Sequence, residues 1–406
     1  MVCRHRSGRF SVCLCVAGLT LFILLLITRL SDHDLTIHHN VEIDGELSPL
    51  VFYPDHIGPF FLSPVLSRPN GEYRAKVLYN IDVHEDEEEL KQFKYSVKKR
   101  IVFLDAPSWI SATDIEKGLG ACAQQACEIS KDVLSADAVV FDLLTLRGVK
   151  PPNKPSHQSW VLLSLHPPRQ YDFSDVLTLW NDKFNWTMSY RLDSDIVIPS
   201  NVLFYNPTKK KDFGDMFQRK TGQVLWVTND CNTPSMRERY VEQLRRHITV
   251  DVYAACGESN ASHAGLTSFM TLQQKYKFYL AFEKDLCVDF ITDELFQTFH
   301  TDIIPVVRSG AQYGTLFPHG TYINTADYAG PADLARYLLS LETNVTEYVH
   351  LLKRKSLFQL SSKLTTLQSG FCDLCIKLHN LPYFENRYFN IHKWMTDRIC
   401  KNPSDL

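Results

Sequence analysis

An arginine at the predicted start of a helix is the residue of this sequence best suited to binding a phosphate group. Arg237 stands in the segment SMRERY, which follows an apolar run at residues 223–228 that is typical of a strand. A guanidinium group at a helix N-terminus offers paired N–H donors that suit a diphosphate. The sequence contains no Walker-type or Gly-x-Gly-x-x-Gly loop, so side chains would have to bind the phosphate. From spacing alone, however, an ordinary surface arginine fits Arg237 better.

A histidine that follows another apolar run is a candidate general base. His166 begins the triplet HPP, shortly after the run at residues 160–163. An imidazole side chain can accept a proton near neutral pH. A lone histidine after a strand is more often structural or simply exposed, so both interpretations stay open.

Short apolar runs predict the elements that must position these side chains. They lie at residues 100–105, 138–141, 160–163, 195–199, 223–228, 250–253, 278–282 and 303–307. Such runs are typical of buried parallel strands, and the polar segments between them are long enough for crossover connections. We therefore predict an α/β fold in which two Rossmann-like domains face a cleft.

The N-terminal residues predict a membrane anchor. Residues 10–28 carry no charged side chain, and a stretch of this length matches the roughly 20 helical residues that cross a bilayer. Arg4, Arg6 and Arg9 precede it and place a tail of residues 1–9 in the cytoplasm. A cleaved signal peptide is the alternative, but the stretch is longer than the usual apolar core and its end lacks a small-x-small cleavage site. We therefore expect a transmembrane signal anchor.

Composition excludes several classes of protein. With 406 residues, of which 45% are hydrophobic and 22% charged, the chain can bury a large core and is not a disordered protein. Its formal net charge of -3 gives no basic field that would attract a nucleic acid, so no nucleic-acid partner is expected. Residues 29–98 have scattered prolines and an acidic run, which predicts an irregular stem rather than a domain.

The cysteines predict disulfide bonds. Of the 11 cysteines, Cys3, Cys13 and Cys15 lie in the tail or the anchor, which leaves an even number beyond it. Cys372 and Cys375 have the C-x-x-C spacing, which could also serve zinc binding or redox chemistry. Zinc would need a second ligand pair nearby, and no thioredoxin-like pattern surrounds the pair, so structural disulfides are favoured.

Two longer segments carry a more specific signal. Residues 184–199 read FNWTMSYRLDSDIVIP, and residues 278–307 read FYLAFEKDLCVDFITDELFQTFHTDIIPVV. Both resemble the α1,3/α1,4-fucosyltransferase family (glycosyltransferase family 10), and the similarity extends over roughly residues 99–378. The resemblance implies the GT-B architecture in a single-pass type II protein of the Golgi membrane, with the catalytic region in the lumen. It also implies inverting, α1,3-type transfer of fucose from GDP-fucose to a glycan or glycoprotein acceptor containing N-acetylglucosamine, without an obligatory metal cofactor.

The division of the chain follows from the resemblance together with residues 206–222, which carry many charges and no apolar period. We expect an N-terminal acceptor domain at residues 99–205, a linker at residues 206–222, a C-terminal GDP-fucose-binding domain at residues 223–370 and a tail at residues 371–406. In the family, a C-terminal C-x-x-C pair is joined to two cysteines near the start of the catalytic region. This implies that Cys122 and Cys127 are the partners of Cys372 and Cys375.

Several residues acquire a role in sugar-donor binding from the resemblance. They are Tyr190, Arg237, Lys284, Phe290, Thr292, Asp293 and Glu294. Arg237 matches the pyrophosphate-binding arginine of the family. Lys284, Phe290, Asp293 and Glu294 stand where typical members have asparagine, tyrosine, glutamate and lysine. Glu294 therefore places a negative charge where a positive one is expected, which would repel a diphosphate, and Lys284 could supply the lost cation.

The general base of the family is a glutamate in an E-S-P triplet, and His166 stands in its place. Asp193 and Asp195 have the D-x-D spacing of a metal site in another glycosyltransferase fold, but they lie inside the R-x-D-S-D string of this family, so no metal site is expected. The changed base, lysine and asparagine together leave a second hypothesis. On that view the chain is a catalytically silent paralogue that binds glycans or protein partners.

Three sequons complete the motifs. Asn260 in NAS and Asn344 in NVT are the predicted glycosylation sites. Asn185 in NWT has strand-like, aromatic surroundings, and we expect it to be buried.

Overall fold

A computed structural model gives the fold of the chain. It describes residues 40–43, 46–49, 97–104, 110–120, 122, 126–170, 174–205, 212–254, 269–360 and 363–406. The predicted anchor, most of the predicted stem and Asn260 lie outside these residues. The chain divides into two compact units, Met1–His56 and Ile57–Leu406. In the first unit, β1 (Asn40–Ile43) and β2 (Glu46–Pro49) pair as an antiparallel hairpin within the segment predicted to be an irregular stem.

The second unit contains a parallel sheet built from its N-terminal part. Its strands are β3 (Lys99–Leu104), β4 (Cys127–Ile129), β5 (Ala138–Asp142), β6 (Ser159–Ser164), β7 (Trp186–Ser189) and β8 (Ile196–Val197). They lie in the order β4-β3-β5-β6-β7-β8, and all neighbouring pairs are parallel. Strands β5 and β6 are buried at every position, which is why they appear in the sequence as continuous apolar runs.

A second parallel sheet follows. Its strands are β10 (Gly222–Thr228), β11 (Val250–Ala254), β12 (Tyr276–Phe282), β13 (Ile304–Arg308) and β14 (Ile323–Asn324). Their order is β11-β10-β12-β13-β14, again with parallel neighbours. The predicted α/β fold of parallel sheets is therefore confirmed. A separate two-stranded sheet is formed by β9 (Leu203–Tyr205), which lies in sequence between the two parallel sheets, and β15 (Phe358–Leu360), which pair antiparallel.

Helices cover the sheets. They are α1 (Ala112–Gly120), α2 (Ser174–Leu179), α3 (Phe213–Arg219), α4 (Arg237–Leu244), α5 (Phe269–Lys275), α6 (Asp293–Gln297), α7 (Tyr313–Leu316), α8 (Pro331–Thr343), α9 (Val345–Ser356), α10 (Lys363–His379), α11 (Leu381–Phe384) and α12 (Ile391–Thr396). Helix α3 lies within the predicted linker, yet Phe213 and Phe217 are buried in the core of the second sheet. The spacing of these two residues places them on one face of the helix.

The C-terminal helices return to the first sheet. Phe371 and Leu374 of α10 share an apolar cluster with residues of α1, β3 and β5. On the opposite face of the sheet, Ile391 of α12 belongs to the cluster that contains Trp160 and Trp180. Helix α10 also runs across the expected boundary between the C-terminal domain and the tail. The first sheet is therefore completed by residues from the far end of the sequence.

Two disulfide bonds hold α10 to the first sheet. Cys122, just after α1, is bonded to Cys372, and Cys127 of β4 is bonded to Cys375. The expectation of disulfide bonds is confirmed, and the bonds join the four cysteines that the resemblance implies, although the resemblance did not specify the individual pairs. The C-x-x-C pair therefore fastens a helix to a sheet.

A third bridge joins Cys287, between β12 and α6, to Cys400. Cys231 is also disulfide-bonded. No pattern in the sequence indicated how these cysteines are paired.

Removing either bridge to α10 should destabilise the protein measurably. Replacing Cys122 and Cys372 together with serine is expected to lower the free energy of unfolding by about 2–4 kcal/mol, because the bridge closes an additional short loop in the unfolded chain next to the one that Cys127–Cys375 already closes. Denaturant unfolding of the oxidised variant and wild type would measure the difference. An unchanged midpoint, or free thiols at these positions in non-reducing peptide maps of the wild type, would contradict the prediction.

Candidate active site

A cavity of about 690 Å³ is lined by residues that follow strands of both sheets. The segments that follow β6 and β7 leave the first sheet at the carboxyl edge of its parallel strands, and those that follow β10 and β12 leave the second sheet at the corresponding edge. The cavity lies where these segments meet. Every residue to which the resemblance gives a role in donor binding or as the base lines this cavity. These residues are His166, Tyr190, Arg237, Lys284, Phe290, Thr292, Asp293 and Glu294.

Arg237 is the first residue of α4 and is only 1% exposed. Its guanidinium Nη2 donates to Oγ1 of Thr228 at 2.9 Å, and Nη1 donates to the backbone oxygen of Phe282. Its Nε is buried without a hydrogen-bond partner among the residues that the structure describes. A buried N–H donor without an acceptor is costly. Arg237 is therefore not a surface arginine, and Thr228 and Phe282 hold its guanidinium group in place beside the cavity.

Glu294 is the second residue of α6 and lies beside Arg237. Its Oε2 is 3.9 Å from Nη1 of Arg237, and its side chain is 36% exposed. Burial raises the pKa of Glu294, and the positive charges of Arg237 and Lys284 partly offset this effect. The acidic side chain thus acts as a counter-ion to the arginine that would hold a diphosphate.

Lys284 follows β12 and is paired with an acidic residue that follows β10. Its Nζ is 3.3 Å from Oδ2 of Asp230, and the two side chains are 45% and 42% exposed. Solvent screens such a pair, so it holds Lys284 only weakly. Lys284 lies close enough to Glu294 to lower the pKa of that carboxyl group. Lys284 therefore adds positive charge to the electrostatic environment of Glu294.

Glu283 lines the cavity and fixes the residue that precedes α6. Its Oε1 accepts hydrogen bonds from the backbone N–H of Thr292 at 2.7 Å and from Oγ1 of the same residue at 3.1 Å. Glu283 is only 2% exposed. Burial, followed by the charge of Glu294, raises its pKa to about 8, against the hydrogen bonds from Thr292 and the charge of Arg237. It is protonated near neutral pH, and it holds Thr292 in place.

Replacing Glu283 with glutamine should change how stability depends on pH. The pKa of this carboxyl group is higher in the folded chain than its ordinary value of 4.5, so wild-type stability falls as pH rises from 4.5 to about 8. Glutamine keeps an oxygen that can accept from Thr292 and does not titrate. We expect Glu283→Gln to be more stable than wild type above pH 8 by a few kcal/mol at most.

Urea unfolding at several pH values would measure this stability difference. Glu242→Gln is the matched control, because Glu242 is 72% exposed on α4. A difference between Glu283→Gln and wild type that does not vary with pH would contradict the assignment.

Contacts between the two sheet regions shape the rest of the cavity. The ring of Tyr190 lies edge-on to that of Phe290, with 5.4 Å between the centroids. The hydroxyl group of Tyr190 is buried, which raises its pKa. Oδ1 of Asp293 accepts a hydrogen bond from Ser200 at 2.9 Å. The signature segment and the donor block predicted from the sequence are thus in direct contact.

His166 lies beyond β6, and a carboxylate that the sequence analysis missed influences its pKa. Asp142 is the last residue of β5, which pairs in parallel with β6, so both residues follow the same edge of the sheet. Burial lowers the pKa of His166, and the charge of Asp142 raises it in part. His166 is therefore mainly neutral at pH 7 and able to accept a proton. The acidic end of the run AVVFD beside the run SWVLLS was the available signal in the sequence.

The two aspartates of the D-x-D string have structural roles. Asp193 forms an ion pair with Arg191 and accepts a hydrogen bond from its guanidinium Nε. Oδ2 of Asp195 accepts from the backbone N–H of Thr187 at 2.8 Å and from the hydroxyl group of Tyr388 at 2.7 Å. Both carboxylates are therefore engaged by neighbouring protein groups.

One cluster of potential metal ligands occurs among the residues whose placement the structure describes. It consists of Cys127, Cys375 and His379. Both cysteines are joined in a disulfide bond, so their sulfur atoms are not available as thiolate ligands.

The sequons differ in accessibility. Asn344 is exposed, and its Oδ1 caps α9 by accepting from the backbone N–H of Glu347 at 3.2 Å. Asn185 is half-buried rather than fully buried. Its Nδ2 donates to the backbone oxygen of Asn386 at 3.3 Å, which occupies the nitrogen that a glycan would modify.

Sequence comparison identifies the chain as a glycosyltransferase and specifies the family. Residues 96–201 match the family described as "Fucosyltransferase, N-terminal", and residues 217–394 match "Glycosyltransferase family 10 (fucosyltransferase) C-term". The chain belongs to glycosyltransferase family 10, the fucosyltransferase family. The matched residues extend beyond the similarity recognised in the sequence and include most of the C-terminal helices.

Individual relatives agree with the family. Over 202 residues the chain is 37% identical to mouse alpha-(1,3)-fucosyltransferase 4, covering 48% of this chain and 46% of that protein. It is 29% identical to Drosophila melanogaster alpha-(1,3)-fucosyltransferase C, covering 67% and 70%. It is 32% identical to the 3-galactosyl-N-acetylglucosaminide 4-alpha-L-fucosyltransferase FUT3 of Pongo pygmaeus, covering 71% and 79%. The match thus spans about half of the mouse relative and more of the other two.

Among solved structures, a crystal structure of an alpha1,3-fucosyltransferase with GDP-fucose aligns with a TM-score of 0.42. The identity is 15%, and the alignment covers 63% of this chain and 81% of that one. A similarity of this size carries no argument about the residues of the cavity.

Proposed function

We propose that the chain is a fucosyltransferase that moves fucose from GDP-fucose to a glycan acceptor containing N-acetylglucosamine. The observation that carries the proposal is the cavity in which Arg237, the donor block and His166 meet. Membership of family 10 and the names of the relatives support the donor and the α1,3-type reaction. The GT-B architecture is part of the proposal, with support from the two parallel sheets that line one cavity.

The reaction is an inverting displacement at the anomeric carbon of fucose. His166 accepts the proton of the acceptor hydroxyl group while the acceptor oxygen forms a bond to this carbon. The bond between the carbon and the diphosphate breaks, and GDP leaves with the electron pair. Arg237 and Lys284 stabilise the negative charge of the leaving group, so the mechanism requires no obligatory metal.

The acceptor binds on the side of the cavity that the first sheet forms. Asp114 of α1, Leu165 and Ile198 lie there with His166, and Leu367 of α10 lines the same cavity. The hydroxyl group to be fucosylated must lie within hydrogen-bond reach of His166. The polar side chains here can form hydrogen bonds to the hydroxyl groups of a sugar, and the apolar side chains can pack against its C–H groups.

A silent paralogue is the second candidate, and one observation favours it. Both cations of the donor site already face carboxylates, Arg237 with Glu294 at 3.9 Å and Lys284 with Asp230 at 3.3 Å. A diphosphate has to compete with these charges. In this case the cavity binds a glycan or a protein partner and transfers no fucose.

Calorimetry of the purified full chain with GDP and with GDP-fucose tests the proposal, followed by a transfer assay on an acceptor with terminal galactosyl-N-acetylglucosamine. Binding of both nucleotides and transfer of fucose are expected. Binding without transfer to a panel of such acceptors would favour the silent paralogue. Failure to bind either nucleotide would overturn the donor-site assignment.

We also propose a Golgi location as a single-pass type II membrane protein. Arg4, Arg6 and Arg9 before the apolar stretch at residues 10–28 support this orientation. In the part of the chain that the structure describes, no helix is long and apolar enough to cross a membrane. The apolar stretch itself lies outside that part.

The location predicts a glycan at Asn344. In cells, endoglycosidase treatment should increase the mobility of the wild-type chain, and Asn344→Gln should reduce that shift, because this asparagine is exposed in a lumenal domain. Asn185→Gln is the control and should leave the shift unchanged, since its amide nitrogen is engaged by Asn386. Digestion of the catalytic region by protease added to sealed microsomes would contradict the orientation.

A further inference from the structure

Residues 399–405, which we call the clamp segment, lie against the donor block. The backbone N–H of Val288 donates to the oxygen of Ile399 at 2.8 Å, and the N–H of Lys401 donates to the oxygen of Leu286 at 3.0 Å. Between these hydrogen bonds, the Cys287–Cys400 disulfide joins the two segments covalently. The clamp segment is therefore attached to the connection between β12 and α6, which forms one wall of the cavity.

Asp405 of the clamp segment forms a two-pronged ion pair with a buried arginine. Its carboxylate accepts from Nε and Nη2 of Arg308 at 2.7 and 2.6 Å. Arg308 ends β13, is 2% exposed, and places its guanidinium group 4.9 Å from the ring centroid of Tyr240. Its remaining terminal nitrogen, Nη1, donates to the backbone oxygen of Ser235 at 2.8 Å. The arginine thus connects the clamp segment to the loop that precedes α4.

Ser235 in turn holds two parts of the donor site together. Its backbone N–H donates to the oxygen of Lys284 at 3.0 Å, and its Oγ donates to the oxygen of Glu283 at 2.7 Å. Met236 follows in the left-handed conformation with φ 49°, and Arg237 comes next. Ser235 therefore fixes the backbone positions from which both Lys284 and Arg237 extend.

We propose that Asp405 is a positioning residue of the donor site, which acts through Arg308 and Ser235 on the backbone that carries Arg237 and Lys284. The inference rests on the proposed function, because it assumes that these two cations hold the diphosphate. A buried guanidinium group that loses its carboxylate is left as an uncompensated charge and tends to move towards water. Such a movement breaks the hydrogen bond to Ser235 and loosens the cavity wall.

A purely structural role of the ion pair makes a different prediction. It would lower the melting temperature but leave GDP affinity unchanged in protein that is still folded. Positioning raises the dissociation constant for GDP and the KM for GDP-fucose, whereas the KM for the acceptor stays the same. Asp405 pairs with Arg308 of β13, whereas the acceptor side of the cavity is formed by residues of α1 and α10 and by residues that follow β6 and β8, so this difference separates the two roles.

The test uses the full chain and Asp405→Asn, with calorimetry at a temperature where both are folded. We expect the dissociation constant for GDP to rise about tenfold, which is within the usual range for coupling between distant groups. Asp405→Glu should restore most of the affinity because it keeps the charge. Asp182→Asn is the control, since Asp182 also pairs with an arginine, Arg387, but is 42% exposed and lies outside the cavity.

Unchanged GDP affinity in folded Asp405→Asn, while wild type binds GDP, would overturn the positioning role alone. Failure of wild type to bind GDP would instead overturn the proposed function, and the inference with it. If Asp405→Asn does not fold, Arg308→Lys tests the same link, because a single ammonium group can stay paired with Asp405 but cannot reproduce the guanidinium contacts to both Asp405 and the backbone oxygen of Ser235. Unchanged GDP affinity in that variant would also overturn the inference.

Discussion

Replacing His166 with asparagine is expected to lower kcat for fucosyl transfer by about two to four orders of magnitude, while the dissociation constant for GDP stays unchanged. The imidazole group is the proposed acceptor of the proton from the acceptor hydroxyl, and asparagine cannot take that proton. Burial lowers the pKa of His166 below its ordinary value of 6.5, although Asp142 partly opposes the effect. Wild-type activity should therefore fall only as pH drops below that value. Transfer assays across pH would measure both effects.

Two variants make this prediction specific to His166. His157→Asn changes an exposed histidine in the segment before β6 and should keep wild-type activity. Asp142→Asn removes the charge that raises the pKa of His166, so the acid limb of the pH profile should move to lower pH. Full activity of His166→Asn, or an acid limb that does not move in Asp142→Asn, would contradict the role of His166 as the base.

Replacing Glu294 with lysine is expected to tighten GDP binding about tenfold or more, since a hydrogen bond to a charged group contributes about 1.5–3 kcal/mol. The substitution removes a carboxylate that lies 3.9 Å from the guanidinium group of Arg237 and adds a cation to the same part of the cavity. Glu294→Gln removes the negative charge alone and should give a smaller gain. Calorimetry with GDP at fixed ionic strength would measure both changes.

Arg237→Ala is the opposing variant and should weaken GDP binding. Its buried hydrogen bonds to Thr228 and Phe282 are lost as well, so a melting temperature must accompany the affinity. If neither Glu294→Lys nor Arg237→Ala changes GDP affinity in folded protein, this cavity does not hold the diphosphate. If both change it but no acceptor is fucosylated, the silent paralogue is the better account.

The strands that could be predicted from the sequence are those that appear in it as continuous apolar runs. The runs at residues 138–141 and 160–163 lie within β5 and β6 because central parallel strands need apolar side chains at every position. No apolar run predicted β1, β2, β4, β7, β9, β14 or β15. Each of these strands has only two to four residues and is defined by its pairing with a neighbour, so it leaves no clear period in the sequence.

The site was predicted as a set of residues but not as a set of contacts. Resemblance indicated Arg237 and the donor block, and the structure places them in one cavity. The resemblance could not indicate Asp142, Asp230 or Asp405, because the residue with which each interacts is distant in the sequence and is brought near only by the tertiary fold. The spacing argument alone also favoured a surface position for Arg237, since nothing local shows that Thr228 and Phe282 surround its guanidinium group.

The return of α10 to the first sheet sets the order in which the protein can be completed during synthesis. Cys122 and Cys127 leave the ribosome long before their partners, with a sequence separation of 250 between Cys122 and Cys372. At roughly 5–20 residues per second, this delay is about 12–50 s. During that time one face of the first sheet lacks its covering helix, and the two waiting thiols can react with each other instead. The half of the chain that is made first is therefore the half that is finished last.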